Sequence, residues 1–220
     1  MKKFFAFLAA SFCTASVAAT TWNPAAIGTG ITLTNGNLTA NPTSVSGWTS
    51  GRATTSKASG KWYFEVTIGA SGTNTNVEIG VMNSGATLSS YIGSDTNGFG
   101  IGGSPTSYQI CGSSGGVTSF NYSNGAVIGI ALDVTNRLIY YSINGTWAPS
   151  QNPSGGTGGQ SLSACSLSSG FFPGVAFFAT TANTLTGNFG PSFSETVPTG
   201  FSGWDTTVAT PFLFNPAVIP

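Results

Sequence analysis

Beyond residue 19, no window of this chain places apolar residues at i, i+3, i+4 and i+7 without a Gly, Pro or β-branched interruption. An amphipathic helix needs that spacing to gather its apolar side chains into one stripe, so helical folds are excluded. Strand signals fill the space instead. The run from Lys61 to Ile68 alternates, with Trp62, Phe64, Val66 and Ile68 on one face of a pleated strand and Lys61, Tyr63, Glu65 and Thr67 on the other. Residues 31–34 and 38–40 flank Asn35-Gly36-Asn37, a hairpin signal because Asn-Gly readily takes the positive φ angles of a tight turn. Further strands are expected at 77–82, 98–101, 127–133, 137–143, 174–179 and 185–189, each bounded by Gly, Asn, Pro or Ser clusters. Many short strands separated by turns imply one all-β domain, a sandwich or a barrel.

The N-terminus runs Met1-Lys2-Lys3, then apolar from Phe4 to about Val17, then Ala18-Ala19. That charged, apolar, small-residue order is a secretory signal, with cleavage expected after Ala19. The apolar run is shorter than the roughly 20 residues of a spanning helix, so no membrane span is expected after cleavage. Bulky Phe12 precedes Cys13 where a lipoprotein signal wants a small residue, which argues against a lipid anchor. The domain proper is expected from residue 20 to residue 205. Residues 206–220 carry Phe212, Leu213 and Phe214 among three prolines and are expected to form an extended, partly docked tail. Residues 150–163 include Gly155-Gly156-Thr157-Gly158-Gly159, have little to bury, and read as a mobile loop.

Without Lys2 and Lys3 the chain keeps four basic residues, Arg52, Lys57, Lys61 and Arg137, against six acidic ones, a net formal charge of −2. That is no nucleic-acid footprint. Charged residues are only 5% of the chain, so its surface must be built from Ser, Thr, Asn, Gln and Gly, as suits an extracellular protein. Cys111 and Cys165 remain after cleavage; in an exported chain they form a disulfide or stand as two separate thiols, depending on whether their Cα atoms lie within about 7 Å.

The chain has no histidine, which removes Ser/His/Asp and Cys/His triads and the H-E-x-x-H zinc motif together. Two short matches lack their context. Gly98 to Gly103 fits G-x-G-x-x-G but leads into Ser104-Pro105 rather than a helix, and Gly112 to Gly116 fits G-x-S-x-G with no base to activate Ser114. Two carboxylates suffice for glycoside hydrolysis, so Glu65 and Glu78, both opposite an apolar strand face, form an alternative catalytic pair if their strands are neighbours in one sheet. Otherwise each is a solvated or hydrogen-bonded strand position. Ser94 to Gly98 offers half of a calcium-loop spacing without the distant glutamate, and reads as an Asx turn; neither a metal nor a cofactor is expected.

Six segments, in order, resemble a SPRY (B30.2-like) domain from about Trp22 to Asp205: Gly60-Lys61-Trp62-Tyr63-Phe64-Glu65-Val66; Glu78-Ile79-Gly80-Val81; Val127-Ile128-Gly129-Ile130-Ala131-Leu132-Asp133; Leu138-Ile139-Tyr140-Tyr141-Ser142-Ile143-Asn144-Gly145; Phe172-Pro173-Gly174-Val175; and Asn188-Phe189-Gly190 leading to Pro198 and Gly200-Phe201. The flavour is similar to bacterial and bacteriophage versions, on residues 31–39, Tyr91 to Gly98 and the closing Asn188-Phe189-Gly190. The resemblance implies a concanavalin A-like sandwich of two antiparallel sheets, and a non-catalytic module that grips a partner with loops at one end. It also implies that Glu65 is a framework residue. Two features depart from the family: Ala126 stands where an acidic turn residue is common, and the Gly-rich loop is long.

These observations lead to an expected secreted recognition module, extracellular or periplasmic, binding a protein or glycan at the cell surface or in the medium. Aromatic and Arg side chains dominate interface energetics, so the contact candidates in or beside loops are Trp48, Arg52, Tyr91, Asp95, Asn97, Tyr108 and Trp147. Trp147, beside the Asn144-Gly145 turn, is expected to be exposed. The alternatives are a glycoside hydrolase using Glu65 and Glu78, and a structural surface or phage-particle protein.

Overall fold

The computed structural model describes residues 19–69, 76–102, 107–116, 121–166, 169–179 and 183–206. The expected leader, save Ala19, and the expected tail beyond Thr206 lie outside the described residues.

Two sheets make the fold, and the described residues contain no helix. The first, of seven strands, runs in spatial order β1 (Trp22–Ile27), β4 (Trp48–Ala53), β14 (Phe172–Phe178), β6 (Val77–Met82), β7 (Gly98–Gly102), β8 (Ser107–Ile110) and β9 (Ser113–Gly116). The second runs β12 (Thr146–Trp147), β11 (Leu138–Ile143), β10 (Val127–Asp133), β5 (Lys61–Gly69), β15 (Thr184–Asn188), β3 (Thr39–Pro42) and β2 (Ile31–Thr34). Two short strands flank it: β13 (Gln160–Ser161) beside β11, and β16 (Ser202–Gly203), which alone pairs in parallel, beside β5. The expected hairpin closes β2 onto β3, with Asn35, Gly36 and Asn37 all at positive φ. Asn144 and Gly145 likewise take positive φ between β11 and β12.

The period-two pattern decides what lies between the sheets. Phe64, Val66 and Ile68 from β5 and Ile128, Ile130 and Leu132 from β10 meet Val77, Ile79 and Val81 from β6, Phe99 and Ile101 from β7, and Val175 and Phe177 from β14, all fully buried. Burying a side chain of this size stabilises by roughly 1.5–3 kcal/mol, which makes this layer the dominant favourable term. Trp22 closes one end edge-on to Phe189, and Trp204 packs edge-on to Phe64.

Both sheets are also covered on their outer faces. On the nine-stranded sheet, residues 192–201 lie over a second cluster of Tyr63, Ala131, Tyr140 and Phe201, with Phe193, Val197 and Trp147 packed against it. Glu65 fixes this cover. Its carboxylate, 1% exposed, accepts hydrogen bonds from Ser194 N at 2.9 Å, Glu195 N at 2.8 Å, Asn188 Nδ2 at 3.1 Å and the Tyr63 hydroxyl at 3.1 Å. Glu65 is therefore a framework residue rather than a solvated one.

The segment 150–163 is more firmly tied than its composition suggests. Gln151 Oε1 accepts from Tyr141 N at 2.9 Å, Asn152 and Thr157 exchange backbone hydrogen bonds, and Leu162 is fully buried. The Arg137 guanidinium donates to the carbonyls of Leu162 and Cys165. One buried apolar side chain, one amide and one guanidinium seat a loop of glycines, with β13 pairing beside β11. Immediately beyond it, Cys165 is joined to Cys111 by a disulfide with Cα atoms 4.9 Å apart, linking the loop's far end to the β8–β9 turn.

Candidate functional site

The outer face of the seven-stranded sheet is paved with glycine. Gly80, Gly98, Gly100 and Gly174 leave a trough, and the segment 83–97 crosses it with Ile92 pointing in. A Cβ on Gly100 would stand 2.8 Å from that of Ile92, so only glycine admits the plug. The segment's ends are stitched together: Asn83 Nδ2 donates to Asn97 Oδ1 at 3.0 Å, and Asp95 accepts from Asn97 N at 2.9 Å and from Thr87 N at 3.2 Å. The Asp95 contact to Asn97 N is the Asx turn read from the sequence. Further back, the Leu88 carbonyl accepts from Ser50 N at 2.9 Å and fastens the segment to β4.

Glu78, 2% exposed, receives Ile92 N on Oε2 at 2.8 Å and pins the plug from below. Burial pushes its carboxyl up to about 8, opposed only in part by that hydrogen bond. Tyr122 is the ionisable neighbour, itself raised first by burial and then by Glu78. A carboxyl whose folded value exceeds its unfolded one favours the folded state fully at pH below the unfolded value, and loses that advantage as pH rises through the folded one. The thermal midpoint is therefore expected to fall between about pH 5 and pH 8.5, and Glu78→Gln to flatten that fall, in melts recorded across the range. A fall of the same size in the variant would contradict this role for Glu78.

With Ile92 buried, Tyr91 before it is carried onto the rim. Its ring meets Trp48 edge-on at 5.9 Å, and Trp48 lies 5.4 Å from Phe178, its cross-strand partner in the β4–β14 register. Phe178 is 43% exposed, the one exposed large hydrophobic side chain among the described residues. Beside Trp48 opens a cleft of about 550 Å³, whose polar lining includes Thr29, Ser44, Ser46, Thr49 and Ser89 and carries no charged residue. Three aromatic rings next to a hydroxyl-lined, uncharged cleft form a surface for stacking and neutral hydrogen bonding.

The other sequence candidates fall elsewhere. Asp95 and Asn97 hold the turn that carries Tyr91 rather than facing the cleft. Arg52 lies two residues beyond Ser50 on the same outer face, its guanidinium 5.7 Å from the Phe172 ring centroid. Tyr108 packs inward against Phe99 at 5.5 Å and is a core-edge residue. Trp147, expected at an exposed tip, is half-buried on the opposite sheet, 6.4 Å from the Tyr63 ring, beside a smaller cleft of about 310 Å³ under Glu195 and Val197. Phe178 went unnoticed in the sequence. The signal was present: in a strand reading Val175-Ala176-Phe177-Phe178, two consecutive phenylalanines cannot both face the core.

The two glutamates are not neighbours. Glu65 lies on β5 of one sheet and Glu78 on β6 of the other, on outer faces separated by the whole sandwich, and stacked sheets alone stand about 10 Å apart. The glycosidase pairing through Glu65 and Glu78 is overturned. Among the described residues there is no cluster of three His, Cys, Asp or Glu side chains that could hold a metal ion.

Comparisons with known proteins agree with this geometry. Two solved structures share the fold: the SPRY domain of human HERC1, at 14% identity and TM-score 0.60, covering 76% of this chain and 96% of that one; and the TRIM65 PSpry domain, at 14% identity and TM-score 0.54, covering 77% and 91%. No curated protein matches the chain. The family model for the SPRY domain matches residues 61–192, more than half of the chain, spanning the strands that carry Glu65, Glu78 and Phe178. The chain belongs to the SPRY domain family.

Proposed function

We propose that this protein is an exported, non-catalytic recognition module that binds a protein or glycan partner through the cleft beside Trp48. The observation that carries the reading is the exposed Phe178 packed with Tyr91 around Trp48, the ring that lines a cleft with no charged lining residue. Phe178 does not stand alone: with Trp48 and Tyr91 it forms a contiguous aromatic patch, and contiguous exposed apolar patches mark interaction sites. Neutral hydroxyl side chains around the rings suit a partner rich in hydroxyl or amide groups. Family membership supports an interaction role, and the separation of Glu65 from Glu78 removes the catalytic alternative drawn from the sequence.

Export rests on the order of Met1 to Ala19 and on the nearly uncharged surface. Fractionation of cells that express the full gene tests it: the chain is expected in the medium or periplasm, lighter by the leader, and a full-length cytoplasmic product would contradict the reading. Labelled domain applied to a glycan array and to immobilised extracellular proteins identifies the partner class. Binding is expected on one of the two and silence on both would count against recognition as the function.

A further inference from the structure

The first described residues hold an arrangement whose two ends, Thr20 and Asp205, lie outside the stretch that the SPRY family model matches. Ala19 is exposed, yet Thr20, the next residue, is 1% exposed. Thr20 N donates to Asp205 Oδ2 at 3.0 Å, its hydroxyl donates to Asp205 Oδ1, and the same hydroxyl meets that of Thr55. Thr55 in turn accepts from the buried Trp204 indole at 3.1 Å. From there the chain enters the sheet directly: Thr54 N donates to the Thr21 carbonyl at 2.8 Å, and Thr21 N to the Thr54 hydroxyl at 3.2 Å. A carboxylate 185 positions away in sequence thus grips one backbone nitrogen and the hydroxyl of the same residue.

We infer that Ala19–Thr20 is the bond cut during export, and that Asp205 is a built receptor for the threonine ammonium the cut creates. The inference rests on the proposed export. Hydrolysis by a processing peptidase breaks the Ala19–Thr20 C–N bond; water gives its hydroxyl to the Ala19 carbonyl carbon and a proton to the Thr20 nitrogen, which takes up one more proton at neutral pH. A single amide N–H becomes a cation with three donors, already 3.0 Å from a carboxylate oxygen. The neutral bond becomes a charge-assisted one, roughly twice as strong. Lys57 is the other cation near Asp205, its Nζ held 3.6 Å from the Trp62 ring centroid and 5.7 Å from that of Trp204. It places positive charge beside the carboxylate but no hydrogen bond in the Thr20 grip. The clamp joins the first residue of the mature chain to the last described stretch, sealing the core end closed by Trp204.

The boundary between exposed Ala19 and buried Thr20 makes the register matter. One residue more leaves an amide at the carboxylate and moves the charge into solvent; one residue fewer removes the hydroxyl. The test compares the chain released from a fusion so that it starts at Thr20 with the same chain starting Gly-Ser-Ala19, each with Asp205 and with Asp205→Asn. The Thr20 form is expected to melt about 2–4 °C higher, and the difference to vanish in the Asp205→Asn pair. Equal midpoints in the unsubstituted pair, which needs no mutation, overturn the clamp, as does a difference that survives Asp205→Asn. The intact mass of the chain exported by cells carrying the full gene tests the bond separately: a mature protein beginning at any other residue overturns the assignment of the cut, whatever the melts show.

Discussion

Glu65→Ala is expected to destabilise the domain by about 3 kcal/mol, lowering its thermal midpoint by about 6–12 °C, and to free the cover over the nine-stranded sheet. The four donors that converge on Glu65 do not share one source: two are backbone amides of Ser194 and Glu195, one is Asn188 on β15, and one is the Tyr63 hydroxyl beneath the cover. Hydrogen bonds to a charged group contribute roughly 1.5–3 kcal/mol each, but exposed backbone amides recover much of that from water. The Tyr63 hydroxyl, fully buried, does not. Limited proteolysis is expected to cut the variant between residues 190 and 200, where the parent resists, and Glu65→Gln to fall between the two because it keeps an acceptor. A variant with the parent's midpoint and cleavage pattern would show that Phe193, Val197 and Phe201 hold the cover without the carboxylate.

Trp48→Ala is expected to weaken partner binding at least 30-fold, the equivalent of about 2 kcal/mol. Trp48 touches both other rings of the cluster, so its loss removes one platform and the support of Tyr91 and Phe178 together. Titration of the partner against folded variant checks the magnitude, with the thermal midpoint recorded alongside, since Trp48 also packs against the cluster of Met82, Ile92 and Ala176 and part of the loss belongs to the plug.

What could be read from the sequence followed from period-two alternation. The inner faces of β5, β6, β10 and β14 were legible because Phe, Val and Ile recur there at every second position. β4 was not, because its inward positions are Thr49, Gly51 and Ala53, small residues chosen by contact: a Cβ on Gly51 would meet the Ile27 side chain. Glu65 and Glu78 were correctly placed opposite the apolar faces, but alternation cannot say that those outer faces are themselves covered. That depends on segments 100 residues or more away for Glu65 and on a plug between two strands for Glu78. The candidate site was half legible for the same reason. Tyr91 and Trp48 stood out as aromatic loop residues, whereas their meeting depends on which way Ile92 turns, a matter of glycines on two different strands, β7 and β14.

Of the three rings at the contact surface, Phe178 can be changed with least disturbance because it is already in solvent. Parent domain, Phe178→Ser and Trp147→Ala should be titrated in parallel against the partner found on the array or among the extracellular proteins. Binding at the Trp48 cleft predicts that Phe178→Ser loses at least tenfold in affinity while Trp147→Ala stays within twofold of the parent. Unchanged affinity in Phe178→Ser, with the loss in Trp147→Ala instead, would move the site to the opposite sheet and contradict binding at the Trp48 cleft.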